Sequence, residues 1–391
     1  MSERIRIVFL IRSLTRGGAE RQLSVLAEGL DPAVFDVLVL TFYPGGAVWC
    51  ELEKVPHVQL RSLHKRGRWD NVRTVRALAR ILRAWRPLII HAYLVEASIV
   101  ALLAARLGST PIVVWGVRAS NVDYSQYGTI HWLTFRAAGM LSHFADLIVA
   151  NSESGRAHCV RHGYRSDRFA VILNGIDTDR FRPRADARSH MRAEWGIASG
   201  EVLVGIAARI DPMKGHHTFL QAAAEVARAN RNVRFVCIGA GDTRYAAALR
   251  AAADGFGLDA KLLWVGERGD MERVYPALDI ACSSSLFGEG FSNAVGEAMA
   301  CGTPCVVTDV GDSATIVGDT GTVVRPGSAD ALVTAILGMA GMTPPDRVGL
   351  GLRARARVVQ LFSMREMIER TAASYRQLAV SHKRPAGMLP A

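Results

Sequence analysis

Glu289 and Glu297 stand eight positions apart in the run Phe287-Gly288-Glu289-Gly290-Phe291-Ser292-Asn293-Ala294-Val295-Gly296-Glu297-Ala298-Met299-Ala300-Cys301-Gly302-Thr303-Pro304. Ser292 or Asn293 is placed to cap a helix that Gly302 and Pro304 would end. Along a helix this spacing is a little over two turns, about 12 Å of rise. Glu289 lies in the Gly-flanked loop before the helix, so a shorter separation is expected. A helix N-terminus offers unpaired N–H groups and a positive dipole end to a phosphate. Carboxylates beside it can accept hydrogen bonds from hydroxyls. The set suits a ligand with a phosphate at one end and a polyol around it. Two glutamates on a solvated loop would show the same spacing, so the spacing alone decides nothing.

A second group lies upstream. Val202 to Ala208 is a short apolar run that reads as a buried strand. Arg209, Ile210, Asp211, Pro212, Met213, Lys214 and Gly215 follow, and then Phe219, Ala223, Val226 and Ala227 at helical spacing. Arg209 and Lys214 therefore belong to a loop at the carboxyl end of a parallel strand, where open α/β sheets bind ligands. A guanidinium fork and a mobile ammonium together suit a diphosphate.

The two stretches, in this order, resemble the signatures of the retaining glycosyltransferases of family 4, which have the GT-B architecture. The first resembles that family's Glu-x7-Glu motif. The second resembles its Gly-Arg-Leu and Lys-Gly motif, with Ala208 and Ile210 as the neighbours of Arg209. Gly17-Gly18-Ala19-Glu20 after the first strand and Asn174 to Pro183 also match. The likeness runs from about residue 5 to 380 and is tightest between 280 and 326. It implies a nucleotide-diphosphate sugar, UDP- or GDP-linked, as donor and no cofactor. Arg209 and Lys214, with the helix start at Ser292 and Asn293, would carry the leaving diphosphate in place of a metal. Glu297 would bind the ribose and Glu289 the transferred sugar. Gly17 and Gly18 would let backbone approach the diphosphate, and Gly266 and Glu267 would read the base. Many relatives place a His at the end of an N-domain strand. Here Arg118 occupies that place, with His91 and Asn121 as further acceptor-side candidates. An Arg is no general base, so the departure touches the acceptor side. The implied acceptor is a glycan or a lipid-linked sugar.

These residues need a frame. Apolar strand runs alternate with helical patterns throughout, which predicts parallel sheets. The strands expected are Ile5–Leu14, Asp36–Phe42, Val58–Leu63, Leu88–Leu94, Ile112–Val117, Leu147–Ala150 and Ala170–Leu173, then Val202–Ala208, Arg234–Gly239, Lys261–Gly266, Ile280–Ser283, Cys305–Asp309 and Thr322–Val324. The fold class expected is α/β, two doubly wound Rossmann-like domains over residues 1–180 and 181–362. The resemblance adds that they face each other across a cleft and that a last helix, 363–380, returns to the first domain before a polar tail, 381–391. A chain of 391 residues that is 50% hydrophobic can fill two cores. No apolar run reaches the roughly 18 residues that cross a bilayer. Six scattered cysteines include no metal-binding pair of pairs. Reduced thiols and a cytoplasmic location, peripheral on the inner membrane face, are expected.

Charge is uneven. Residues 1–180 carry 23 Lys and Arg against 15 Asp and Glu, a net of +8 (23 − 15), out of +11 for the chain (47 − 36). Arg73, Arg76, Arg80 and Arg83 recur at helical spacing, and Val72, Val75, Leu78 and Leu82 form a second stripe. The stripe is either a solvated helix face or a dock for an anionic membrane surface. Nucleic acid is excluded as a partner for want of any motif or aromatic platform. Two other classes share the fold: a non-transferring sugar-nucleotide enzyme and a sugar-nucleotide-binding protein. The first would need acid and base residues that the sequence does not show. The second is disfavoured by the intact set of Arg209, Lys214, Glu289 and Glu297.

Overall fold

The computed structural model describes residues 4–15, 17–67, 69–118 and 129–383. Asn121 and the end of the polar tail lie outside the described residues. The chain divides into two compact units, at Gly175/Ile176 and again at Ser363/Met364, so that the final helix belongs to the first unit. The expected boundary after residue 180 thus falls later than the division. Ile176 belongs with the second unit because its N–H donates to the Phe362 carbonyl at 2.7 Å, and Phe181 because its ring meets Tyr275.

The first unit holds strands β1 (Ile5–Ile11), β2 (Phe35–Thr41), β3 (Val58–Ser62), β4 (Ile89–Tyr93), β5 (Ile112–Val117), β6 (Leu147–Ala150) and β7 (Phe169–Val171). All pairings are parallel, in the order β3-β2-β1-β4-β5-β6-β7. Its helices are α1 (Gly18–Gly29), α2 (Ala47–Leu52), α3 (Asn71–Trp85), α4 (Val95–Gly108), α5 (Thr129–Leu141), α6 (Glu153–Arg161) and the chain-final α15 (Met364–Lys383). The strands read as apolar runs because helices cover both faces of the sheet. One core packs α3, α4 and α5 on the sheet through Leu78, Leu82, Ala101, Ala104, Phe135 and Ala138. The other packs α1 and α15 through Leu23, Leu26, Met367 and Tyr375, against Phe9 and Phe35.

The second unit holds α7 (Ala185–Glu194), β8 (Val202–Ala207), α8 (His216–Ala229), β9 (Val233–Ile238), α9 (Thr243–Gly255), β10 (Leu262–Gly266), α10 (Met271–Val274), β11 (Ile280–Ser283), α11 (Asn293–Ala300), β12 (Cys305–Thr308), α12 (Ser313–Val317), β13 (Gly321–Val324), α13 (Ala329–Ala340) and α14 (Pro344–Leu361). Its parallel sheet runs β10-β9-β8-β11-β12-β13. The strand order reverses between β8 and β11, and in the first unit between β1 and β4. In doubly wound sheets such reversals open a crevice at the carboxyl ends of the strands.

Candidate functional site

The reversal in the second unit collects the residues singled out above. Ile206, Ala207 and Ala208 end β8, and Ala281 to Ser285 end β11. With Lys214, Tyr275, Glu289 and Ser292 they line one pocket of about 30 Å³, the floor of a crevice rather than room for a whole nucleotide. Lys214 is placed by a turn that its own sequence dictates. Asp211 caps it, accepting from the Met213 N–H at 3.0 Å, and Pro212 supplies a preset φ at its first position. Gly215 closes it at φ +65°, where a Cβ would lie 2.0 Å from the Ser284 carbonyl oxygen. The Ser284 hydroxyl donates to the Lys214 and Gly215 carbonyls at 3.0 and 3.1 Å, which fastens the turn to the end of β11.

Lys214 Nζ donates to Glu289 Oε1 at 2.5 Å, and the Ser285 hydroxyl donates to the same oxygen at 2.6 Å. Glu289 is buried in the loop before α11. Gly288 takes φ +79° there, and its bare Cα faces the Met213 sulfur, which a Cβ would meet at 2.3 Å. Glu297 is buried on α11 and accepts from the Tyr275 hydroxyl at 3.2 Å. Ser292 is the N-cap of α11, but its side chain makes no capping bond, so no side chain of its own closes the helix end. Cys282 and Cys305 line the pocket too, as neutral thiols. Burial pushes Cys282 up to about 12 and Cys305 higher still.

His216 opens α8 directly behind this turn, fully buried, and neither ring nitrogen finds a hydrogen-bond partner among the described residues. Burial, with the Lys214 charge adding to it, lowers its pKa to about 4. The folded ring is neutral while the unfolded ring would take a proton near pH 6.5. Stability is therefore present at neutral pH and lost as pH falls from 6.5 toward 4, by about 3 kcal/mol for this ring. His216→Leu is expected to flatten the fall in the urea midpoint between pH 7 and pH 4.5. A slope identical to the parent's would assign the acid sensitivity to other groups.

Arg209 is not part of the pocket. Its guanidinium is 65% exposed and pairs with Asp211 at 3.0 Å. Gly266 and Glu267 lie at the end of β10, two strands away from β8. They are tied to that side of the sheet by the Gly239 N–H, which donates to the Gly266 carbonyl at 2.7 Å. Gly266 takes φ +70° with open space at its Cβ position, so the glycine serves the turn itself. Two groups that the sequence reading did not single out, Ser285 and Tyr275, donate to Glu289 and Glu297 respectively. The serine run at the end of β11 was a usable signal, being polar exactly where a buried strand stops. Tyr275 gave none, since only folding brings it to Glu297.

In the first unit, Gly17 is the N-cap of α1 and Gly18 its first residue. Gly17 has φ −163°, open to any residue, and the nearest atoms a Cβ would crowd belong to the Glu20 side-chain carboxylate. Its backbone conformation thus does not require glycine. His91, an acceptor-side candidate from the sequence, is enclosed. It lies inside β4, fully buried, and shares a 2.6 Å hydrogen bond with the Tyr375 hydroxyl of α15. Burial, then the nearby Arg118 charge, holds its pKa well below the usual range. It is a neutral ring, enclosed in the sheet and bonded to the last helix. Arg118, just past β5, sits 4.5 Å over the Tyr93 ring and donates to Asn174 Oδ1 at 3.3 Å. Arg118 lines a cavity of about 250 Å³ with Arg12, Glu96, Trp115 and His158, at the ends of β4 and β5.

Two family models match the chain: Glycosyltransferase Family 4 over residues 16–180 and Glycosyl transferases group 1 over residues 201–341. EpsF of Bacillus subtilis, a candidate glycosyltransferase, is 24% identical over 79% of this chain and 80% of its own. A D-inositol 3-phosphate glycosyltransferase of Segniliparus rotundus is 31% identical over 60% of this chain, and the match spans only 54% of that protein. Among solved structures, HepE of Anabaena, in complex with UDP and glucose, superposes with a TM-score of 0.84 at 24% identity, over 96% of this chain and all of that one.

Proposed function

The chain is a family-4-like glycosyltransferase of the GT-B type, and from that premise we propose that it moves a sugar, with retention of configuration, from a nucleotide-diphosphate sugar to a glycan or lipid-linked acceptor. The observation that carries this reading is the Lys214, Glu289 and Ser285 cluster at the β8/β11 reversal. Relatives of this shape support the donor class, since HepE was solved with UDP and glucose.

Breaking a sugar–phosphate bond gathers negative charge on the leaving diphosphate and oxocarbenium character on the sugar. Stabilising the first is electrostatic work for groups already in place. Lys214 supplies a full positive charge, and the start of α11 supplies N–H groups and the positive end of a helix dipole. Arg209, on the loop beside them, adds an outer cation. Glu289, at the pocket wall, accepts from the hydroxyls of the transferred sugar, and Glu297 from the ribose. Both are carboxylates already shaped by donors, Ser285 and Tyr275, so their oxygens are fixed before a substrate hydroxyl arrives. The attacking hydroxyl enters on the face the diphosphate leaves, and a phosphate oxygen takes its proton. Arg118 and the cavity at the ends of β4 and β5 serve the acceptor.

With side chains and a helix dipole neutralising the phosphates, Mg²⁺ has no task. Transfer from UDP- and GDP-sugars is expected to survive excess chelator. Activity abolished by chelator and restored by Mg²⁺ or Mn²⁺ would reject this mechanism. The same assay separates the other classes. Hydrolysis or epimerisation with no transfer to any acceptor would mark a non-transferring enzyme, and nucleotide binding with no turnover would mark a binding protein.

A further inference from the structure

Helix α5 is apolar on two sides. Phe135 and Ala138 pack inward with α4 and the sheet. Ile130, Leu133 and Met140 point outward with Phe144 just beyond the helix, at spacings of 3, 7 and 4 that keep one stripe. Leu133 is 57% and Met140 77% exposed. Trp132 is exposed beside them with the Arg136 guanidinium 5.3 Å from its ring. Arg106 of α4 lies 5.3 Å over Phe144, which joins this stripe to the exposed Leu103 and Leu107 of α4. Next to α4, on the same side of the sheet, α3 exposes Arg73, Arg76, Arg80 and Arg83. Among the described residues, Arg73 is the one of these four with a carboxylate in reach, Asp70 at 3.7 Å. Val72, which the sequence pattern placed in one stripe with Val75, Leu78 and Leu82, is exposed as well, because Thr74 and Ala79 take the buried positions with those three.

We propose that this α3–α4–α5 surface docks on an anionic membrane. The α3 arginines sit over the head groups, and the stripe of α5 with Leu103 and Leu107 enters the interface. The reading rests on the lipid-linked branch of the acceptor proposal. Two features select the occupant. Contiguous apolar side chains are rarely left to water without a partner, and arginines beside interfacial Trp and Leu are the make-up of surface-seated helices. A second copy of this chain is a poor occupant, because a two-fold contact would set the same exposed arginines against each other. The +8 excess of residues 1–180 (23 − 15) complements a negative leaflet.

The test is co-sedimentation with vesicles of phosphatidylcholine, alone or in equimolar mixture with phosphatidylglycerol, at low and high salt. The parent is expected to bind the anionic vesicles and to be released by salt, since exposed charges are screened beyond about 10 Å at 0.1 M. Each arginine contributes roughly fivefold to partition, so reversing Arg73, Arg76, Arg80 and Arg83 to Glu should cost more than about a hundredfold. Leu133→Glu with Met140→Glu should cost at least about tenfold and leave the salt response in place. A blue shift of emission on binding, lost in Trp132→Phe, would report entry into the interface. All these side chains are exposed, so thermal melting and UDP binding should match the parent. No binding by the parent at low salt, or equal binding by the variants, overturns the proposal. A concentration-dependent dimer abolished by the Leu133 and Met140 changes would hand the surface to a second copy. Failure of the glycosyltransferase reading would show separately, as loss of UDP binding or transfer by the parent in solution.

Discussion

Lys214→Ala is expected to lower turnover with the nucleotide sugar by about 10²–10³. The ammonium is the charged donor of the pocket wall, one hydrogen bond from Glu289. Its removal takes away the point charge offered to the leaving diphosphate. It also takes the Lys214 charge away from the buried Glu289 carboxylate, and weakening the compensation of a buried charge is costly. The loss should therefore appear in both turnover and nucleoside-diphosphate affinity, measured by single-turnover kinetics and by calorimetry with UDP and GDP. Arg209→Ala should cost less, because that guanidinium is mostly solvated and already paired with Asp211. Full activity of Lys214→Ala at low donor concentration would remove Lys214 from the diphosphate site.

Gly215→Ala should fail earlier, at folding. The residue sits at φ +65°, and the added methyl would lie 2.0 Å from the Ser284 carbonyl oxygen. A left-handed conformation alone costs a side-chain-bearing residue about 1–2 kcal/mol. The carbonyl is backbone, anchored at the end of β11, and cannot swing aside as a flexible side chain would. Together these are expected to cost about 3 kcal/mol or more, which for a unit of this size is a fall in Tm of roughly 6–12 °C. Any protein that folds should place Lys214 away from Glu289, since the same Ser284 hydroxyl fastens both Lys214 and Gly215. Differential scanning calorimetry and turnover measured together check this. A variant with parental Tm and activity would show that the turn can relax, and that the glycine is dispensable.

Much of this protein was legible in its sequence. Parallel strands covered on both faces must be apolar throughout, so runs such as Val202–Ala207 and Ile112–Val117 announce themselves, as do the turns between them. The position of Lys214 was equally readable, because Asp211, Pro212 and Gly215 each fix a local backbone angle or hydrogen bond with no help from the rest of the chain. Glu289 and Glu297 were legible as a pair, since a Gly-flanked loop and a helix start are local features.

Tertiary structure decided what depends on residues far apart in the chain. The sequence could not show that Tyr375, 284 positions from His91, would bury that ring and bond to it. Nor could it show that Tyr275 would hold Glu297, or that Arg209 would turn to solvent while Lys214 turned inward. Helix α5 states the reason most plainly. Its residues are apolar nearly all round, and periodicity says only that faces exist. Which face is buried is chosen by the area each finds to pack against, and α4 and the sheet were available to only one of them. The local sequence set the elements and the chemical groups. The free energy of packing between distant segments chose which of those groups stayed open to react, and which face of α5 was left for a partner.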